Sequence, residues 1–266
     1  MRNLFMLLVA AIFLTAGCGG QSAPSSPAIT VKVGASVTPH AEILDFIKPI
    51  LAKDGVILQV VEMTDYVRPN IALAEKELDA NYFQHVPYLE KFASDHKLAI
   101  VSIAKVHVEP MGIYSNKIKS LAALPQGAIV AIPNDPTNSG RALMLLEKAG
   151  VIKLKPGADI AAVPGDIAEN PKKIVIKELE AAQLPRSLED VALAVINTNY
   201  ALDAKLSPLK DALFIEAADS PYVNILAVRK GDENRPELKK LAAALTSPQT
   251  RKFIEEKHKG AVIPAF

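Results

Sequence analysis

Residues 128–150 read AIVAIPNDPTNSGRALMLLEKAG and encode a complete strand, turn and helix. The apolar run from Ala128 to Ile132 predicts a buried strand, and the apolar spacing from Arg141 to Lys148 predicts a helix. Gly150 follows at the position where a glycine commonly ends a helix. A buried strand followed by an amphipathic helix is the repeating unit of an open α/β sheet.

The same alternation of strand and helix occurs on both sides of this stretch. Strands are predicted at residues 31–35, 58–63, 192–196 and 213–215, and helices at residues 41–51, 68–76, 237–245 and 249–257. The first of these helices carries four apolar residues on one face, namely Ile43, Leu44, Ile47 and Leu51. We therefore predict an α/β protein.

Two extended apolar segments are predicted to connect two lobes. Residues 106–114 are interrupted by Pro110, and residues 223–229 come just before the last two helices. A chain that leaves one lobe, builds a second and returns to the first needs two crossings. The predicted boundaries are residues 29–110 plus 228–266 for lobe one and residues 111–227 for lobe two.

The N-terminus has the pattern of a bacterial lipoprotein signal. One basic residue precedes an apolar run from Leu4 to Leu14, which is too short to span a bilayer. We expect residues 1–18 to be the signal, Cys18 to be the lipidated mature N-terminus, and residues 19–28 to be a flexible tether rich in Gly, Ser and Pro. The pattern usually has Leu three residues before the cysteine, where this chain has Thr15. An ordinary secretory signal with an incidental cysteine is the alternative.

Charge and cysteine content argue against several function classes. The chain has 30 basic and 29 acidic residues, and one basic residue lies in the signal, so the predicted mature chain is formally neutral. A neutral surface offers no electrostatic attraction for nucleic acid or anionic lipid. Cys18 is the only cysteine, so the rest of the chain cannot form an internal disulfide. No later apolar run is long enough to span a membrane, which would leave the lipid as the only anchor.

The residues favour neither an enzyme nor a metal-binding protein. The histidines that could bind a metal are His40, His85, His96, His107 and His258. No two of them stand at the spacing of a helical metal motif. No pair of residues indicates an activated nucleophile, because the one cysteine belongs to the signal. We expect no catalytic residue, no metal and no cofactor, and a metal-binding lipoprotein is the less favoured alternative.

Four polar or aromatic clusters follow predicted strands, where open α/β sheets bind their ligands. They are residues 64–66, residues 81–88, residues 133–141, and the split pair 197–200 with 220–224. In the third cluster a turn rich in Asn, Asp and Thr precedes a helix, whose free backbone N–H groups and dipole suit a carboxylate or phosphate. Arg141, expected in the first helical turn, would add a two-pronged hydrogen bond to the same anion. A helix cap with a solvated arginine explains these residues equally well.

Aromatic residues are locally concentrated in the second cluster. They make up only 5% of the chain, and tryptophan is absent from the sequence. Tyr82, Phe83 and Tyr88 offer ring faces for an apolar or thioether side chain, and each sulfur–aromatic contact contributes about 0.3–1.5 kcal/mol. Packing of Phe83 and Tyr88 in the core is the alternative. The asparagines of the other clusters could bind an amino group and a carboxylate, or serve only as turn residues.

Six segments of the chain together resemble one protein family. They are VEMTDYVRPN (61–70), DANYFQHVPYL (79–89), VHVEPMG (106–112), IPNDPTNSGRAL (132–143), ELEAAQLPRSL (178–188) and SPYVN (220–224). These segments resemble the methionine-binding lipoproteins of bacterial methionine ABC importers, over essentially the whole predicted mature chain. The resemblance implies a two-lobed periplasmic binding protein of the second type, with a ligand cleft between lobes joined by two hinge crossings.

The resemblance also implies which residues contact the ligand. Arg141 would pair with the α-carboxylate. Asn197 and Asn224 would hold the amino and carboxylate ends, with Asn199 as an alternative to Asn197. The side-chain pocket would be formed by Tyr66, Phe83, His85 and Tyr88, with Tyr82 and Asn138 as further candidates.

The cargo and the partners follow from the same resemblance. L-methionine is the expected ligand, and D-methionine, methionine sulfoxide or a methionine-containing dipeptide are alternatives. The partners would be the permease and the ATPase of the ABC importer. The protein would be a monomer anchored by lipid to a membrane of the cell envelope, facing the periplasm or the extracellular side. The choice between inner and outer membrane is left open.

Overall fold

The computed structural model describes residues 28–217 and 220–266, so Cys18 and most of the predicted tether lie outside the described residues. The strands are β1 Ile29–Ala35, β2 Val56–Glu62, β3 Ala80–His85, β4 Ile100–Val108, β5 Gly112–Tyr114, β6 Ile129–Pro133, β7 Lys153–Leu154, β8 Ile167–Glu169, β9 Val175–Leu179, β10 Leu193–Ile196, β11 Phe214–Ile215, β12 Val223–Arg229 and β13 Ile263–Pro264. The helices are α1 Glu42–Lys53, α2 Arg68–Ala74, α3 Val86–His96, α4 Pro136–Lys148, α5 Leu184–Ser187, α6 Thr198–Asp203, α7 Pro208–Asp211, α8 Pro236–Leu245 and α9 Pro248–His258. Among the helices of these residues, none is long and apolar enough to cross a membrane.

The strands form two main sheets, one in each lobe. The six-stranded sheet has the order β13-β4-β12-β3-β1-β2, and the five-stranded sheet has the order β11-β5-β10-β6-β9. In the first sheet β1 is parallel to β2 and β3, and in the second β6 is parallel to β9 and β10. Parallel neighbours need crossover connections, and the predicted alternation of strand and helix provides them. The α/β fold with two lobes is confirmed.

The core of lobe one forms between α1 and the six-stranded sheet. The four apolar residues predicted on one face of α1 are all fully buried. They belong to the same cluster as Val31 and Val33 of β1, whose neighbour Lys32 points to solvent. Each fully buried side chain of this size contributes about 1.5–3 kcal/mol. Apolar residues three to four apart on α1 and two apart on β1 therefore determine which face of each element packs in the core.

The core of lobe two forms in the same way between α4 and the five-stranded sheet. Val130 and Ile132 of β6 pack with Leu143 of α4, and all three are fully buried. Gly140 allows the chain to pass close to α4, because a Cβ at this position would lie 2.1 Å from the carbonyl oxygen of Ile160. The predicted strand, turn and helix of residues 128–150 thus form the centre of the second lobe.

The two lobes are joined by two crossings. The first lies between Val108, the end of β4, and Gly112, the start of β5. The second lies between β11 and β12, which is earlier than predicted. The predicted boundary places residues 223–227 in lobe two, but β12 pairs with β3 and β4 along its length and so belongs to the six-stranded sheet. We therefore propose that the second lobe boundary lies between Ile215, the end of β11, and Val223, the start of β12.

Candidate functional site

A cavity lies in the cleft between the lobes. It is lined by Tyr66, Phe83, Gln84, His85, Tyr88, Glu109, Asn138, Arg141, Asn197, Thr198, Asn199 and Asn224. Nine of the ten residues predicted from the sequence are in this set, and Tyr82 is the exception. The free space between the side chains is about 20 Å³, which is room for roughly one water molecule. The two walls therefore approach each other closely in this conformation.

Three rings from lobe one form what we call the aromatic wall, namely Tyr66, Phe83 and Tyr88. Their centroids are 5.9–6.0 Å apart, which is the spacing of favourable aromatic pairs. The Tyr88 hydroxyl donates to the backbone oxygen of Tyr66 at 2.7 Å. This bond fixes the loop after β2 against the start of α3, so the rings come from separate segments but form one surface.

His85 ends β3 and caps the N-terminus of α3. Its Nδ1 accepts a hydrogen bond from the Tyr88 backbone N–H at 3.2 Å. The proton of the neutral ring is therefore on Nε2, which donates to Asn138 Oδ1 on the other lobe at 3.2 Å. Burial, with a smaller effect from the charge of Arg141, lowers the pKa of His85 to about 3. His85 is thus a neutral donor that links the two lobes.

The start of α4 differs from the sequence-based expectation. The helix begins at Pro136, so Arg141 lies in its second turn rather than its first. Asp135 is the N-cap, and its carboxylate accepts from the backbone N–H of Asn138 at 2.9 Å. The expected anion site at this helix terminus is therefore wrong in detail, because the carboxylate of the chain itself already occupies it.

Arg141 is buried and held by lobe-two and hinge residues. Its Nε and Nη2 donate to the two carboxylate oxygens of Glu216 at 2.8 and 2.5 Å. Nη2 also donates to the backbone oxygen of Glu109 at 2.8 Å, and the guanidinium stacks 4.1 Å from the ring centre of Tyr222. Nη1 donates to no acceptor within the described residues. The side chain is thus rigid, with one nitrogen left for a further partner.

Asparagine side chains form a network on the lobe-two side. Asn138 Oδ1 accepts from Asn197 Nδ2 at 3.0 Å, and Asn199 Oδ1 accepts from the Tyr66 hydroxyl at 2.6 Å. Within residues 28–217 and 220–266, Asn197 Oδ1 and Asn199 Nδ2 are buried without a hydrogen-bond partner. An unsatisfied buried polar group costs about 1–3 kcal/mol. Both asparagines line the cavity, so the structure does not require a choice between them.

Tyr82 is a correction to the predicted site. Its side chain is fully buried in lobe one, and its hydroxyl bonds Nδ1 of His107. Adjacent residues of a strand point to opposite faces of the sheet. Because Phe83 faces the cleft, its neighbour Tyr82 must face the core.

Four further residues line the cavity or contact Arg141, and the sequence patterns do not predict them. Glu109 lies in the first crossing, and Thr198 starts α6. Glu216 follows the strand predicted at 213–215, and Gln84 lies within the aromatic cluster. Glu109 could have been selected because it lies beside Pro110 in the predicted crossing, but no pattern in the sequence indicates which side chains contact it.

Those partners are two histidines that the fold brings together, although no sequence spacing indicated it. Glu109 Oε1 lies 2.6 Å from His107 Nε2 and 3.2 Å from His40 Nε2. We call these three buried residues the histidine–glutamate cluster. All the candidate ligand atoms lie within 4.8 Å of one another, so the cluster has the residue types of a metal site. The shortest contact is a hydrogen-bond distance, which favours a hydrogen-bonded network.

Several known proteins are similar to this chain over most of its length. The D-methionine-binding lipoprotein MetQ of Salmonella typhi is 43% identical over 254 residues, which cover 94% of this chain and 93% of that protein. The methionine-binding lipoprotein MetQ of Bacillus subtilis is 41% identical over 273 residues and covers 99% of both chains. A solved nutrient binding protein from Burkholderia cenocepacia, bound to methionine, is 49% identical with a TM-score of 0.86, and covers 89% of this chain and 100% of that one.

The resemblance inferred from the six sequence segments is thereby confirmed. The family model for the NlpA lipoprotein matches residues 31–266, which include both lobes and the cleft. The family model and the relatives lead to one assignment: the chain belongs to the NlpA lipoprotein family.

Proposed function

We propose that this chain is the substrate-binding lipoprotein of an ABC importer and that methionine is its cargo. The observation that carries the proposal is the cavity at the hinge, where a buried arginine, asparagine amides and three aromatic rings meet. An α-amino acid with an apolar side chain presents the complementary groups. The solved relative from B. cenocepacia, which is bound to methionine, supports this cargo.

The charged ends of the ligand are held by lobe two and the hinge. Arg141 Nη1 and Asn199 Nδ2 donate to the α-carboxylate, and Asn197 Oδ1 accepts from the ammonium group. Asn197 Oδ1 and Asn199 Nδ2 are the two buried amide atoms that lack a partner within the described residues. The ligand thus removes two unsatisfied groups, each of which costs about 1–3 kcal/mol. Asn224 completes this end of the site.

The thioether side chain packs on the aromatic wall. An unbranched, polarizable chain can pass between ring faces where a β-branched residue would clash. Burial of the side chain contributes about 1.5–3 kcal/mol, whereas micromolar binding requires about 8 kcal/mol. The charge pairs at Arg141 therefore contribute much of the affinity.

Ligand binding is coupled to closure of the lobes. The Tyr66 hydroxyl bonds Asn199, and the Tyr200 hydroxyl donates to the Thr64 backbone oxygen at 3.0 Å. Like the bond from His85 to Asn138, both of these hydrogen bonds cross the cleft. With so little free space between the walls, methionine enters an open form and then bridges both lobes. The ligand shifts the population towards the closed form, which the permease then recognises.

A panel of ligands tests the cargo. Native mass spectrometry of the purified protein should show a retained mass equal to methionine. In thermal-shift and calorimetry experiments, L-methionine at 100 times its dissociation constant should stabilise the protein by roughly 2.7 kcal/mol. D-methionine, methionine sulfoxide and a methionine-containing dipeptide are the competitors to rank, and isoleucine, glutamate and lysine are the controls. A branched or charged amino acid that stabilises the protein more than methionine would refute the assignment.

We also propose that the protein binds its cargo without converting it. The family is one of substrate-binding lipoproteins, and the cavity groups are donors and acceptors for ligand ends. Methionine incubated with stoichiometric protein should be recovered unchanged by chromatography and mass spectrometry. A new product that depends on the protein would establish an enzymatic activity.

The lipid anchor on Cys18 is a further part of the proposal. Intact-mass measurement of protein extracted from membranes should give a mature N-terminus at Cys18 that carries lipid. Cys18→Ser should yield a product that no longer partitions into detergent. An unmodified N-terminus at any other residue would contradict the anchor without affecting the cargo assignment.

A further inference from the structure

A carboxylate at the edge of the hinge joins Arg141 to lobe two. Glu216 follows β11 directly, and its two carboxylate oxygens accept from Arg141 Nε and Nη2. Its backbone N–H donates to the Met111 backbone oxygen at 2.9 Å, and its Oε2 accepts from the Met111 backbone N–H at 3.0 Å. Only 8% of the Glu216 side chain is exposed. Glu216 therefore ties Arg141 to the start of the second crossing and to the end of the first.

The same guanidinium also contacts the far end of each crossing. Glu109 is the first residue after β4, and its backbone oxygen accepts from Arg141 Nη2 at 2.8 Å. Tyr222 is the last residue before β12, and its ring centre lies 4.1 Å from the guanidinium carbon. Both β4 and β12 belong to the six-stranded sheet of lobe one. One planar group from lobe two therefore contacts the lobe-one end of both crossings.

The position of this guanidinium is thereby linked to the angle between the lobes. In clamp-like proteins a few residues at the ends of elements absorb the change of angle on closure. The residues at those ends here are the ones that Arg141 contacts. A two-pronged pair fixes both the place and the plane of a guanidinium, which a single charge contact does not. With Glu216 in place, a carboxylate bound at Nη1 acts on a group that is held against both crossings.

We propose that Glu216 is a positioning residue that holds Arg141 against the two crossings, so that carboxylate binding at Arg141 favours the closed form. This inference rests on the proposed function, in which Arg141 Nη1 binds the ligand carboxylate, and deepens it. Glu216 is not one of the residues that line the cavity, so it acts through Arg141. Its effect is on the population of the closed form, which sets how slowly the ligand leaves.

Position and charge predict opposite results for Glu216→Gln. If Glu216 only neutralised Arg141, its loss would leave a stronger cation and tighten methionine binding. As the loss of a positioning residue, the substitution should weaken L-methionine binding at least tenfold in calorimetry on the full mature protein. Stopped-flow tyrosine fluorescence should assign this loss to faster dissociation, with the association rate changed less than threefold. Glu169→Gln, which removes an exposed ion pair with Lys153 in the same lobe, is the control and should change neither rate.

A second variant and a second ligand separate positioning from a merely structural role. Glu216→Asp keeps the charge but shortens the side chain by one methylene, so it should still weaken methionine binding at least threefold. L-methioninamide lacks the carboxylate, so Glu216→Gln should change its affinity less than threefold. Tighter methionine binding or equal weakening of both ligands by Glu216→Gln would overturn the proposal. Unchanged methionine affinity in Glu216→Asp would overturn it as well.

The unmodified protein gives the answer if these variants do not fold. The NMR signal of the Arg141 Nε–H group, assigned by its loss in Arg141→Lys, should exchange slowly with solvent because Glu216 accepts its proton. Saturating L-methionine should shift this signal more than L-methioninamide does. Rapid exchange in the presence of methionine would show that the pair does not hold the guanidinium, and would overturn the proposal. No methionine binding by the unmodified protein would instead refute the proposed function.

Discussion

The two walls of the cleft differ in chemistry. The aromatic wall of lobe one presents rings that tolerate small shifts of a ligand. The facing polar wall of lobe two presents directional groups, namely Asn138, Arg141, Asn197 and Asn199. Hydrogen bonds lose strength steeply with angle, whereas contacts with ring faces do not. Under the proposed function, recognition of the ligand carboxylate falls mainly to lobe two and packing of the ligand side chain to lobe one, so mutations should separate the two contributions.

The lobes also differ in their titratable groups. All five histidines lie in residues 29–110 and 228–266, so lobe one contains every histidine of the chain. His40, His85 and His107 are buried and neutral, and burial lowers the pKa of each to between about 3 and about 4. The polar wall of lobe two has no group that titrates in this range as histidine does. Low pH should therefore destabilise mainly lobe one.

Acid destabilisation is the largest expected effect. Each buried histidine has a folded pKa below its unfolded value of 6.5, so the unfolded state takes up protons first and stability falls as pH drops below 6.5. From pH 7 to 5 the three should together reduce the free energy of unfolding by about 3–6 kcal/mol. Burial raises the pKa of Glu109, which offsets part of this loss. Urea unfolding at both pH values is the measurement.

Two histidine variants sharpen this prediction. His85→Gln has no ring to protonate, so the loss of unfolding free energy between pH 7 and pH 5 should be smaller by about a third. His96→Gln, at an exposed position, is the control and should leave the pH dependence of the unfolding free energy unchanged. Equal stability at pH 7 and pH 5 would show that the buried rings do not control the acid response.

Loss of Arg141 is expected to have the next largest effect. Arg141→Ala should weaken methionine binding by about 2–5 kcal/mol, because it removes the carboxylate partner and leaves Glu216 without its cation. Calorimetry measures the change, with Arg186→Ala at an exposed lobe-two position as the control. A loss below tenfold, about 1.4 kcal/mol, would mean that the polar wall does not dominate affinity.

Loss of Phe83 should change selectivity more than backbone recognition. Phe83→Ala removes one ring of the aromatic wall and should weaken methionine binding by about 1–3 kcal/mol. Alanine as ligand, which has no thioether to place on the ring, should lose much less affinity. Calorimetry with both amino acids separates the two contributions. An equal loss of affinity for both ligands would contradict the proposal that the aromatic wall binds the ligand side chain and not its backbone.

Loss of one hydrogen bond across the cleft should have the smallest effect. Tyr66→Phe keeps the ring but removes the bond from its hydroxyl to Asn199. Binding should weaken by about 0.5–1.5 kcal/mol, because the closed form loses one bond between the lobes. Tyr114→Phe is a suitable control, since its hydroxyl is buried without a partner among the described residues. Unchanged affinity in Tyr66→Phe would show that this bond does not contribute to closure.

Local pattern is sufficient for many of the elements and for most of the residues that line the cavity. Apolar periodicity indicates the buried face of α1 and the strand and helix of residues 128–150. The proline at position 110, which interrupts an extended apolar run, indicates the first crossing. Ligand sites of open α/β sheets lie beyond the ends of the strands, so polar and aromatic clusters at those ends indicate the cleft. For this reason nine of the ten selected residues line the cavity.

The predictions differ from the structure where an apolar pattern shows that residues are buried but not which surface of the protein they face. Alternation in β3 implies that Tyr82 and Phe83 face opposite ways, but it does not say which one faces the cleft. The strand at Val223–Arg229 is equally apolar in either lobe, and only its pairing with β3 and β4 assigns it to lobe one. Helix α4 begins five residues before the predicted start at Arg141, because Asp135 acts as its N-cap and Pro136 as its first residue.

The α/β class, the faces of the helices and the sheet edges where polar and aromatic residues gather follow from local pattern, because they depend on neighbours a few residues apart. Which distant groups meet depends instead on how the folded chain packs. Arg141 and Glu216 are 75 residues apart in the chain, and His40 reaches Glu109 from a different segment of lobe one. Such pairs depend on how the chain crosses between the lobes and on how the lobes close. Local hydrophobic pattern does not encode either, so the charge balance of the cleft becomes visible only in the folded protein.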